Sequence, residues 1–147
     1  MDHEVANRCA NAQTIDDLSE AAVTCRAVDA IVVVTTVGTE EEANSLAQEL
    51  VERRHSCCVN IIPVHKSVYR WQGKICTDSE FLLIIKALAE AYPEIESSIK
   101  ELHSYELPEI LAFDIKRGDE GFLHWIYACS VGGQTDASPD TPGEDSL

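Results

Sequence analysis

The residues best equipped for chemistry sit at the ends of apolar segments. The densest group is His103-Ser104-Tyr105-Glu106-Leu107-Pro108-Glu109. Imidazole nitrogen from His103 with carboxylate oxygen from Glu106 or Glu109 makes a borderline metal-ligand set. The same imidazole has a structural use, because at a helix C-terminus it satisfies free carbonyls and favours the dipole. Cys57 and Cys58 are adjacent. Strand side chains alternate, so both thiols cannot chelate one ion from a regular strand, and copper at either needs a partner from elsewhere. Tyr69, Arg70 and Trp71 fall near a turn, where the aromatics brace a neighbouring subunit or line a ligand cleft. Lys86 closes an apolar run and places one cation at a strand end, as an anion contact or a solvated terminus. Glu40-Glu41-Glu42 resembles an acidic metal patch, yet acids in a first helical turn are stabilising for dipole reasons alone. No nucleophile elbow, phosphate-cradling glycine loop or paired-histidine zinc helix is present, and Gly38 is a lone glycine.

The elements that must position these residues are legible in the apolar pattern. Ile31–Thr36 is a β-branched run of strand length. Thr39 followed by Glu42 fits a capping box, with Glu42 expected to reach back to the Thr39 amide. Ala43, Leu46, Ala47, Leu50 and Val51 then recur at helical spacing, so a helix is expected over 40–54. Cys58–Pro63 and Ser67–Trp71 read as one interrupted strand, with a bulge or bend expected at Pro63. Gln72-Gly73 makes a tight turn, and the chain returns antiparallel from Lys74 to end in Phe81–Ile85. Tyr92, Ile95, Ile99 and Leu102 set a second helix with Pro93 in its first turn. Ile110–Ile115 is a last strand, and Asp119 caps a final helix bearing Phe122, Leu123, Ile126 and Cys129. The order β-α-β-β-α-β, then α, is the ferredoxin-like split βαβ arrangement, an α+β sandwich with a long β-hairpin and a C-terminal helix.

Several strands are apolar at consecutive positions, so both faces of the sheet call for burial. Three helices cover only one of them, and self-association is the simplest cover for the other. At 147 residues, 45% hydrophobic and 25% charged, the chain is sized and balanced for one globular domain. Its formal charge of -15 repels phosphate backbones, which excludes nucleic acid as a partner. The ends differ from the body. Residues 1–30 read as a partly flexible extension, in which Leu18, Ala21, Ala22 and Cys25 share one short helical face. Residues 132–147, rich in Gly, Pro, Ser and Asp, read as a disordered acidic tail. The domain itself is expected over 31–131. No apolar stretch approaches the roughly 18–20 residues that cross a bilayer, so no membrane partner is expected. The Met1-Asp2-His3-Glu4 start lacks the basic, apolar pattern of a secretory signal, so a cytoplasmic, reducing setting and free thiols are expected.

The stretch VVVTTVGTEEEANSLAQELVERRHSCCVNIIP, the hairpin SVYRWQGKI, the strand FLLIIK and the segment ELHSYELPEIL occur together and in order. In combination they resemble the CutA divalent-cation-tolerance family over about residues 31–130. The resemblance implies a tight homotrimer with long hairpin strands reaching toward the next subunit. It also implies a role in metal tolerance, with copper binding and no accepted catalytic reaction. On matching positions it places Cys58, Tyr69, Trp71, Lys86, His103, Tyr105 and Glu109 around an inter-subunit cleft. His103, Cys58 and Glu109 are then the metal ligands, and Tyr69, Trp71, Lys86 and Tyr105 the ligand-binding wall. Three positions depart from the family pattern: Ser104 stands where the usual His-Pro-Tyr has proline, and Thr35 and Leu102 replace a cysteine and a second histidine found in some bacterial members. Copper, or another divalent cation, is therefore expected to bind weakly and not to be needed for folding. The competing expectation is a regulatory or scaffold trimer that holds a small anionic metabolite through Lys86 and the hairpin aromatics. An enzyme built on Cys58 or His103 ranks third, for want of a base–nucleophile pair.

Overall fold

The computed structural model describes residues 27–131. The expected extension over 1–26, with its helical face, and the tail over 132–147 lie outside the described residues. Among the described residues seven regular elements follow in the order β1 (Ala30–Val37), α1 (Glu40–Glu52), β2 (Cys58–Trp71), β3 (Lys74–Leu88), α2 (Tyr92–Leu102), β4 (Leu111–Asp114) and α3 (Glu120–Val131). A single 3-10 turn, Ala89–Ala91, leads into α2. The sheet runs β2-β3-β1-β4 with every pair antiparallel, so β3 is inserted between the parallel strands of the β1-α1-β2 unit. That is the split βαβ topology.

Register explains why consecutive apolar residues occur in the strands. Ile31, Val33, Thr35 and Val37 of β1 stand opposite Ala87, Ile85, Leu83 and Phe81 of β3. On that face they form the core with Ala43, Leu46 and Leu50 of α1 and Ile95 and Ile99 of α2. Val32, Val34, Leu82 and Ile84 take the alternate positions and face the other way, beside Ile62 of β2 and Leu111 and Phe113 of β4. Within one protomer this second face stays incompletely covered: Ile62 is 42% exposed, Leu111 49% and Phe113 56%. Helix α3 packs against β3 and buries Ile126 completely.

Local chemistry sets most boundaries where the pattern puts them. The Thr39 hydroxyl accepts from the Glu42 amide at 3.2 Å and starts α1. Arg54, with φ of 60°, ends the helix two residues past Glu52, and Val51 lies on its exposed side. Asp119 caps α3 by accepting from the Phe122 amide at 2.9 Å. Gln72 (φ 47°) and Gly73 (φ 78°) are both left-handed, which matches a two-residue hairpin turn to the twist of β2 and β3. Two expectations are corrected. The irregularity in β2 falls between Val64 and Ser67, not at Pro63, which stays in register opposite Phe81. Proline is tolerated there because β2 is an edge strand of the protomer, where a missing N–H removes no interior ladder bond. The last strand is also shorter than 110–115, although the Ile115 amide still bonds the Ala30 carbonyl at 3.0 Å.

Candidate functional site

The loop after α2 is held from three sides. Its first residue, His103, has a side chain with 0% exposure. Ring Nε2 lies 2.7 Å from the Thr36 carbonyl, and the Tyr105 amide lies 2.9 Å from Nδ1. A carbonyl only accepts and an amide N–H only donates, so Nε2 carries the proton and Nδ1 offers its lone pair. The ring thus ties the loop to β1 and does not serve the last carbonyls of α2, as a capping histidine would. Next, the Glu42 carboxylate accepts from the Ser104 amide at 2.8 Å and from the Ser104 hydroxyl at 3.0 Å. Glu42 therefore does not close the expected capping box. Its carboxylate spans 62 residues of sequence to pin the loop, and the Ser104 amide is a donor that proline lacks. Finally, the Tyr105 ring packs against His103 at a centroid distance of 4.8 Å. Its hydroxyl donates to Glu80 Oε2 at 3.0 Å.

Gly38 now has a reason. A Cβ at this position would stand 3.1 Å from the Tyr105 hydroxyl oxygen, so glycine leaves the room in which Tyr105 reaches Glu80. Glu80 is only 7% exposed. Burial, followed by the bond to Glu80, raises the Tyr105 phenol to about 12, so the ring is neutral at physiological pH.

Strand β2 supplies the opposite wall. Val64 stands opposite Glu80 and Ser67 opposite Asp78, so His65 and Lys66 face a single β3 residue, Ser79. Ser79 donates its hydroxyl to the His65 carbonyl at 3.0 Å and seals this bulge. One extra residue flips the alternation. Past the bulge Ser67, Tyr69 and Trp71, and not Val68 and Arg70, share a face with Glu80. Tyr69 donates its hydroxyl to Asp78, and that bond leads the causes that raise its phenol to about 12.

Together these residues enclose a cleft of about 830 Å³. Tyr69, Trp71 and Tyr105 supply aromatic surface, and Glu80, Glu106 and Glu109 supply carboxylates. Among the described residues that line it, none is basic. Glu109 is tethered at the rim, where it accepts from the Thr36 hydroxyl at 3.4 Å.

The remaining expected residues lie elsewhere in the protomer. Lys86 stands opposite Cys58. Its ammonium approaches the Cys58 sulfur at 3.5 Å and bonds the Asn60 side-chain carbonyl. Lys86 lies six positions along β3 from Glu80, about 20 Å at strand rise. Cys57 donates instead to the Lys86 carbonyl at 3.5 Å, and burial, then the nearby Cys129 and Cys58, pushes its thiol up to about 12. Cys57, Cys58, Cys76 and Cys129 carry no disulfide among them. As a metal set, His103, Cys58 and Glu109 do not fit within one protomer: both imidazole nitrogens are engaged, and Cys58 sits beside an ammonium at the far end of the sheet. Among the described residues no group of three or more His, Cys, Asp and Glu side chains is placed to hold an ion. At the two departing positions, Thr35 is fully buried with its hydroxyl unpartnered, and Leu102 is partly exposed at the end of α2. Sequence reasoning missed Glu42, Glu80 and Gly38; only their spatial meeting with residues 103–105 reveals them.

With the fold and cleft in view, comparison with known proteins places the chain. Residues 31–129 match the family described as CutA1 divalent ion tolerance protein. The chain belongs to this family. It is 44% identical over 95 residues to the divalent-cation tolerance protein CutA of Thermus thermophilus, covering 65% of this chain and 92% of that protein. It is 37% identical over 92 residues to the mouse protein CutA, covering 63% of this chain but only 52% of the relative, so it spans about half the length of that longer protein. Among solved structures, CutA from Archaeoglobus fulgidus, described as a periplasmic divalent cation tolerance protein, superposes with a TM-score of 0.67 at 38% identity. That match covers 69% of this chain and 98% of the archaeal one. No helix among the described residues is long and apolar enough to cross a membrane.

Proposed function

We propose that the chain acts as a cytoplasmic homotrimer in tolerance of divalent cations, taking up copper or another divalent ion weakly and without catalysis. The observation that carries this reading is the lining of the cleft, with three carboxylates and no basic side chain. Such a lining attracts cations and repels anions. Within one protomer it counts against the small anionic metabolite, since that chain's own Lys86 is about 20 Å away along β3 and engaged by Cys58 and Asn60. The carboxylates of Glu109, Glu106 and Glu80 would draw the ion into the cleft without closing around it as one ligand set, which gives weak, unselective binding. His103 contributes by fixing the loop. Cys58 joins only where another subunit brings its Cys58–Lys86 corner to the cleft. Trimer formation is supported by family membership and by the half-exposed Ile62, Leu111 and Phe113 on the second sheet face.

Native mass spectrometry of the reduced full chain, with and without copper or zinc, tests the reading. The expected result is a trimer that gains a fixed number of ions per subunit, fewer in Glu109→Gln. A trimer that remains empty at micromolar metal overturns it.

A further inference from the structure

The cleft is built for more than a bare ion. A divalent metal ion is small and strongly hydrated and gains little from aromatic rings, yet rings form much of the wall. Tyr69 and Trp71 are 41% exposed and Tyr105 38%, so all three present apolar, electron-rich surface to whatever enters. Aromatic faces attract weakly hydrated organic cations through the ring quadrupole. The carboxylates are the other half of such a site. Glu80 is more than nine-tenths buried, accepts from the Tyr105 hydroxyl, and has no ion pair with a basic side chain among the described residues. A buried carboxylate without a cation is costly, and Glu80 lines the cleft. Glu106 and Glu109 add charge at the rim.

We infer that this cleft binds an organic ammonium ion, its nitrogen directed to Glu80 and its carbon chain laid against Tyr69, Trp71 and Tyr105. A volume of about 830 Å³ holds a short alkyl diamine with room for water. Ammonium N–H groups donate to carboxylate oxygens, and the methylenes cover aromatic surface that would otherwise stay wet. The bulge at His65–Lys66 is the selecting feature, since it puts both hairpin aromatics on the carboxylate side. The inference shares with the proposed function the cationic character of the cleft. It does not depend on a metal being bound.

The test is isothermal titration of the reduced full chain with 1,4-diaminobutane at about 0.15 M salt, where long-range surface attraction is screened. Magnesium chloride, of equal charge and without carbon, is the control. Binding of the diamine with magnesium a poor competitor is the expected result. Trp71→Leu and Tyr69→Leu, on the exposed hairpin and remote from the core, should each weaken the diamine severalfold, and Glu80→Gln roughly tenfold. Should Glu80→Gln fail to fold, the two hairpin variants decide the matter alone. No heat of binding, or binding that magnesium displaces equally well and that the leucine variants leave unchanged, overturns the inference. Uptake of copper in native spectra alongside a silent diamine titration would remove the organic ligand and leave the metal reading in place; the reverse pattern would do the opposite.

Discussion

Replacing His103 by alanine separates a structural imidazole from a metal-binding one. The side chain is completely buried, donates to the Thr36 carbonyl at 2.7 Å and accepts from the Tyr105 amide at 2.9 Å. Its removal leaves the carbonyl and the amide without their partner. A buried group deprived of its hydrogen bond costs about 1–3 kcal/mol. The Tyr105 amide lies on an exposed loop and recovers part of that cost from water, so the pair is counted here as about 2 kcal/mol. The space vacated by the ring adds about 1 kcal/mol or more, since deletion of a packed side chain is only partly relaxed. A total near 3 kcal/mol lowers Tm by roughly 12–24 °C for a domain of this size. Calorimetry at one fixed protomer concentration, with and without copper, reads both halves of the claim. The expected variant melts far lower but, kept cold enough to stay folded, takes up as much copper as the parent. A variant that melts within about 2 °C of the parent and has lost its copper would show that the imidazole nitrogens are not engaged as described, and the reasoning would fall.

Other outcomes follow from the same contacts. Thr35→Val replaces a buried, unpartnered hydroxyl by a methyl of similar shape and should raise stability by about 1 kcal/mol, seen as a higher denaturant midpoint with unchanged slope. Gly38→Ala should push the Tyr105 hydroxyl from Glu80, so that the phenol ionises closer to its ordinary value in an ultraviolet titration. In the parent, Tyr69 and Tyr105 should ionise only near pH 12. Both pKa values are raised above the unfolded value near 10, so their stabilisation is complete below about pH 10 and is lost as pH climbs toward 12; a single tyrosine transition near 10 would contradict this. The Cys57 thiol, pushed up to about 12, should resist alkylation at pH 8 in the native protein while Cys76 reacts.

Most of the fold was readable because burial writes a period into the sequence. Alternating core residues of β1 and β3, and the three- and four-residue spacing of Leu46, Leu50, Ile95 and Ile99, follow from facing one core. Where burial stops, the period stops. Lys74–Ser79 lies in the exposed half of the hairpin, so the Gln72-Gly73 turn and not an apolar period marked it as the returning strand, and the bulge at His65–Lys66 left no trace beyond a blurred parity. In the cleft, Tyr69, Trp71, Tyr105 and Glu109 were found through a combined motif. Glu42 and Glu80 were not, because each sits in a local context that already explains it, a helical first turn and a strand. Their roles exist only across 62 and 25 residues of chain. Cys58 and Lys86 were grouped with the cleft by resemblance, whereas one protomer keeps them at the opposite end of the sheet.

The bulge has an evolutionary reading. Everything beyond Val64 in β2 depends on a one-residue offset, while Val59 and Ile61, which pack on the core, lie before it and are indifferent to it. Loss of a single codon between Val64 and Ser67 would turn Val68 and Arg70 inward and send Tyr69 and Trp71 to the other side of the hairpin. The cleft would exchange two aromatic rings for an aliphatic chain and a guanidinium, beside the unchanged carboxylates of Glu80, Glu106 and Glu109. The packed half of the sheet would not register the change. A lineage carrying this fold can therefore trade the aromatic wall of its cleft for a basic side chain in one mutational step, outside the packed half of the domain that carries it.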